Sequence, residues 1–162
     1  MILQANPGAC EWRRSAITGQ LLSFRDNSSC IAHHNRIVKL LIQCLAVGTA
    51  GFFGAIARFL IGISCGRVFP QFPVGTLIIN LSGSFILGLF SAYVANRAGF
   101  SQTLQFAVGV GFVGAYTTFS TFMYESDNLI RQGALLKASA NLVGSIVLGL
   151  VAVRLGILFA SK

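Results

Sequence analysis

Four hydroxyl side chains, Thr117, Thr118, Ser120 and Thr121, alternate with Phe119 and Phe122 inside an otherwise apolar stretch, GVGFVGAYTTFSTF at Gly109–Phe122. Hydroxyls and the amide of Asn80 donate hydrogen bonds, and an aromatic ring presents a positive edge and a negative face. Such a set could replace the water shell of a small, strongly hydrated anion. Gly109, Gly111 and Gly114, followed by the β-branched pair Thr117-Thr118, predict a helix that breaks near residues 115–118. Backbone in lipid is left open only where protein surrounds it, and breaks of this kind often house ions. The plainer alternatives stay open at this point. Phe at i and i+3 is a common core-packing pattern, and a membrane Asn commonly holds helices together by hydrogen bonding.

These groups need a scaffold, and the composition says which kind. The 162 residues are 54% hydrophobic and only 10% charged, with mean hydropathy +0.74. A water-soluble domain carries about 25% charged residues. The chain is therefore an all-α integral membrane protein. At roughly 20 apolar residues per span, four transmembrane helices fit once the polar leader 1–36 is set aside. The expected channel domain covers 37–162, with spans at about 37–64, 74–96, 102–131 and 134–159. The leader, broken by Pro7, Gly8 and Asp26, is expected to be disordered and does not resemble a cleaved secretory signal. Eighteen glycines suggest close helix packing, and four short helices enclose little space, so an oligomer is expected.

Polar positions recur every four residues on two spans: Thr76, Asn80, Ser84 and Gly88 on the second, Lys137, Asn141, Ser145 and Gly149 on the fourth. Each set forms one line down its helix. Two such lines beside the broken segment outline a narrow track of donors through an apolar wall. Ala50, Gly54 and Arg58 make a third line on the first span, in which Arg58 is either an anion-attracting vestibule charge or an interfacial anchor. Glu125, one turn after Thr121, is either a proton or cation ligand or a structural hydrogen-bond partner.

The net charge of +8 does not indicate nucleic-acid binding, because the basic residues are scattered singly among apolar runs. Within 37–162, Lys39, Arg97, Arg154 and Lys162 fall on one membrane side, and Arg58, Arg67, Arg131 and Lys137 on the other. This even division gives no positive-inside bias and predicts insertion in both orientations. Cys44 and Cys65 lie about 30 Å apart along one helix and cannot pair, so free thiols are expected. His33 and His34 have no further ligands nearby, and no membrane-depth cluster has catalytic spacing, so no enzyme is expected.

GTLIIN at Gly75–Asn80 and GFVGAYTTFSTF at Gly111–Phe122, supported by GAIAR at Gly54–Arg58 and by Glu125, resemble the bacterial CrcB or Fluc fluoride channels over roughly residues 45–158. The resemblance implies four-helix subunits in an antiparallel, dual-topology homodimer within the bacterial cell membrane, in contact with membrane lipid. It implies passive fluoride efflux that protects against fluoride toxicity. The fluoride pore would be lined by Asn80, Thr118, Phe119, Thr121, Phe122 and Ser145, with Arg58 at a vestibule. Backbone carbonyls of Gly114 and Thr117 would hold one structural, untransported sodium ion at the dimer interface. Some members of the family pair as heterodimers of unequal copies. The chain departs from the pattern at Ala115, Lys137 and Asn141. The competing expectations are a small proton-coupled multidrug or cation transporter, which needs a membrane-embedded carboxylate that only Glu125 could supply, and a non-transporting assembly subunit.

Overall fold

The computed structural model describes residues 27–97 and 99–161, and the described residues form helices and turns without strands. Most of the expected leader lies outside the described residues. The helices are α1 (Asn27–Val68), α2 (Val74–Ala95), α3 (Gln102–Phe106), α4 (Gly114–Tyr116), α5 (Phe119–Arg131) and α6 (Leu135–Ala160), with a π-helical segment at Ala107–Val113 between α3 and α4. Four stretches are long and apolar enough to cross a membrane: His33–Val68, Val74–Ala95, Gln102–Arg131 and Leu135–Ala160.

The chain divides into two units, residues 1–41 and 42–162. The described part of the first is helical, and its side chains from His33 onward are exposed. Helix α1 begins at Asn27, ten residues before the start expected from hydropathy. No Gly or Pro occurs between Asn27 and Val47, and extending a formed helix needs no second nucleation.

In the second unit, α2 and α6 pack along their length. Gly88 lies against the Val153 carbonyl and Gly156 against the Phe85 carbonyl, so a Cβ at either glycine would clash with backbone. This is small-residue packing, suited to a solvent in which apolar burial gives helices no preference for one another. Phe85 and Phe159 close the same seam edge to face at 6.0 Å. Helix α1 approaches the π-helical segment equally closely, Gly54 lying against the Phe112 carbonyl. The spacing of Ala50, Gly54 and Arg58 thus marks a packing face. Most large apolar side chains of α1 and α6 point outward, as spans in contact with lipid require.

Punctuation follows local chemistry. Pro73 precedes the first residue of α2. Helix α5 ends in a Schellman turn. Gly133 adopts φ +74°, its N–H donates to Ile130 O, and Ala134 N donates to Leu129 O. The π-helical segment differs from the regular α-helix expected before the break. Its wider turns place the Gly114 N–H on Gly109 O, five residues back.

Candidate functional site

Helical geometry stops at Tyr116 and resumes at Phe119. Between them Thr117 (φ −78°, ψ 160°) and Thr118 (φ −150°, ψ 117°) are extended. Extended backbone at membrane depth exposes groups that must find partners. Asn80 supplies two of them. The Thr118 N–H donates to Asn80 Oδ1 at 2.9 Å, and Asn80 Nδ2 donates to Thr118 O at 3.1 Å. The side-chain amide thus pairs with Thr118 as a neighbouring strand would. One consequence is that the Thr118 amide, which would close the next helical turn on Gly114 O, is directed elsewhere.

The surrounding hydroxyls are arranged around the same two residues. Thr118 caps α5 by accepting from Thr121 N at 3.3 Å, and its own O–H donates to Thr121 Oγ1 at 3.0 Å. Thr117 Oγ1 donates to Val113 O at 3.0 Å, and Ser84 Oγ donates to Asn80 O at 2.7 Å. Gly83 makes the fit possible, because a Cβ there would strike Thr117 Cγ2. Thr117 and Ser84 therefore have their protons committed to carbonyls. The second Nδ2 hydrogen of Asn80 and the hydroxyl hydrogen of Thr121 remain for a ligand.

A cleft of about 250 Å³ opens here, lined by Asn80, Ser84, Val113, Thr117, Phe119 and Phe122 among others. The two phenyl rings stand 6.2 Å apart and tilted at 58°. Phe122 is 6% exposed, whereas Phe119 is 74% exposed and lies on the outside of the chain. Half of the phenylalanine pair therefore faces whatever covers this surface.

Other sequence-selected residues lie outside the cleft. Arg58 sits half-buried on α1. Ser145 is on α6 with a buried Oγ that has no hydrogen-bond partner. Gly114 is exposed just before the break, and Thr121 is exposed on α5, beside the cleft but not among the residues that line it. The α6 line that seemed to extend the donor track serves another purpose at Asn141. This residue is 2% exposed, and its Nδ2 donates to Ser126 Oγ at 2.9 Å. Ser126 in turn donates to Phe122 O at 2.7 Å, which fixes the turn that carries the buried ring. At the other end of the α2 line, Thr76 Oγ1 donates to Glu125 Oε1 at 2.9 Å, leaving Oε2 buried and without a partner. The sequence placed Thr76 on the α2 line and Glu125 one turn after Thr121, without pairing them. The signal for pairing them was that both lie about one turn outside the Asn80–Thr121 level.

Among the described residues no group of three or more His, Cys, Asp or Glu could hold a metal ion. The neutral donors and aromatic edges of the cleft suit binding and passage of an ion rather than bond-making chemistry.

Comparison with known proteins gives a family match. Residues 45–157 match the model for the CrcB-like protein, Camphor Resistance (CrcB) family. The chain is 44% identical over 114 residues to the fluoride-specific ion channel FluC 1 of Nitrobacter hamburgensis, covering 70% of this chain and 90% of that one. It is 49% identical over 119 residues to the fluoride-specific ion channel FluC 2 of Moorella thermoacetica, covering 73% and 96% respectively. A fluoride-specific ion channel FluC of Methylococcus capsulatus is 43% identical over 122 residues, which are 75% of this chain and 54% of that longer one.

Proposed function

The chain belongs to the CrcB-like protein family, and on that premise we propose that it is a fluoride channel that lets the anion leave the cytoplasm passively. It is a multi-pass protein of the bacterial membrane and not an enzyme. The observation that carries the reading is the Asn80–Thr118 pairing beside Phe119 and Phe122, which keeps the backbone open and one amide hydrogen free. Fluoride loses water on entering an apolar wall and needs short, hard donors in exchange. The free Asn80 N–H, the Thr121 O–H and the phenyl edges supply them. Among the described residues the acidic side chains are Glu125, bonded to Thr76, and Asp127, bonded to Arg131, so no ring of carboxylates there favours a cation.

The exposed Phe119 completes its surroundings in an antiparallel homodimer, whose two orientations agree with the even division of basic residues. Arg58 then serves as a vestibule charge that concentrates anions at the pore entrance. The carbonyls of Gly114 and Thr117 would hold a structural sodium ion at the dimer interface. The donor set fits, since neutral carbonyl oxygens suit a hard alkali cation and the amide that would have closed the turn on Gly114 O is bound by Asn80. Bound sodium supplies a fixed positive charge at a depth where no side chain of the break carries one.

Fluoride-electrode recording of efflux from liposomes holding the purified protein tests this. Efflux that needs a counter-ion pathway and ignores a proton gradient is the expected result. Cation uptake driven by a proton gradient would instead establish a coupled transporter.

A further inference from the structure

At the membrane end opposite Glu125, the C-terminal part of α2 forms a groove of about 530 Å³ with the π-helical segment and the end of α6. Its body is apolar, contributed by Leu89, Phe90, Val108 and Phe159. Its end is not. Arg97, two residues beyond the last residue of α2, lies 4.4 Å from the centroid of the Tyr93 ring, and its Nη1 donates to Tyr93 Oη at 2.7 Å. We propose that this groove holds an anionic phospholipid, with its phosphodiester on Arg97 and Tyr93 and its first acyl carbons along the apolar wall.

Charge and depth both support this occupant. The acidic side chains among the described residues are Glu125 and Asp127, bonded to Thr76 and Arg131 respectively. Tyr93 lies seventeen residues beyond Thr76 on α2, about 25 Å away at the helical rise, so neither carboxylate can neutralise Arg97. The span ends at Ala95, which places Arg97 and Tyr93 where headgroups are the neighbouring anions. Because Tyr93 accepts from Arg97, its own hydroxyl proton remains to donate to a second phosphate oxygen. The guanidinium is held in place by the ring, which reduces the freedom it would lose on binding. A zwitterionic lipid is a poorer fit, since its ammonium would share the site with Arg97. The groove shares no lining residue with the Asn80 cleft, so this inference does not depend on fluoride being the conducted ion.

Native mass spectrometry of the full-length protein in detergent, with phosphatidylglycerol or phosphatidylcholine of matched acyl chains, tests it. Wild type should retain phosphatidylglycerol in preference to phosphatidylcholine. Arg97→Gln should weaken that retention roughly fivefold, the share of one interfacial arginine, with the elution volume unchanged. Tyr93→Phe should give a smaller loss in the same direction, and millimolar inorganic phosphate should not displace the lipid. Equal retention of the two lipids, undiminished retention by Arg97→Gln, or displacement by phosphate alone would overturn the proposal.

Discussion

Replacing Asn80 by Ala tests whether the amide holds the backbone open. The substitution removes both partners of Thr118, a residue only 8% exposed: the 2.9 Å acceptor of its N–H and the 3.1 Å donor to its carbonyl. Leaving both groups without partners costs about 2–4 kcal/mol, a factor of roughly 30–1,000 in the population of the open backbone. The cheapest repair is local. The freed Thr118 N–H turns back to Gly114 O and extends α4, closing the gap between the two helical pieces. Fluoride efflux from liposomes should then fall by at least the lower factor, and amide hydrogen exchange should change at Thr118 more than at the distant α2–α6 seam. Efflux within twofold of wild type together with unchanged exchange at Thr118 would refute the reasoning, since the break would then stand without its clamp.

Three other perturbations separate function from stability. Phe119→Ile and Phe122→Ile should both abolish efflux while the proposed dimer survives on gel filtration; only Phe122→Ile, at the buried ring, should also lower the melting temperature, by an amount reflecting about 1–2 kcal/mol of lost packing. Gly83→Ala should push Thr117 through its Cγ2 and destabilise the protein by about 1–3 kcal/mol, with reduced flux; a neutral effect in thermal unfolding and transport would show that the α2–break contact is loose. Exchanging sodium for choline should lower the melting temperature if Gly114 and Thr117 hold the ion, and equal unfolding curves in the two salts would remove sodium from the account.

The sequence carried the four apolar spans because about 20 residues of hydrocarbon-compatible side chains leave an unmistakable pattern. Thr117, Thr118 and Asn80 stood out as polar groups where lipid tolerates few, and the structure brings these three together at one cleft. The π-helical turn at Ala107–Val113 was not legible. The segment packs closely against α1 at Gly54 and Gly111, a tertiary contact with no one-dimensional signature. Spacing placed Asn80 and Ser84 on one line but could not say that Asn80 pairs with backbone or that Ser84 donates to Asn80 O. Asn141 was read as one more group on a donor track. It acts instead through Ser126 on the Phe122 carbonyl, because α5 crosses α6 at that height. The early start of α1 escaped a hydropathy reading because that stretch is polar yet contains no helix breaker.

The most direct measurement is the current through the purified protein in a planar bilayer with unequal fluoride on the two sides. The account predicts a steady current whose reversal potential follows the fluoride gradient and does not move when pH is changed on one side. A reversal potential that tracks protons or the accompanying cation, or no current at all, would contradict it.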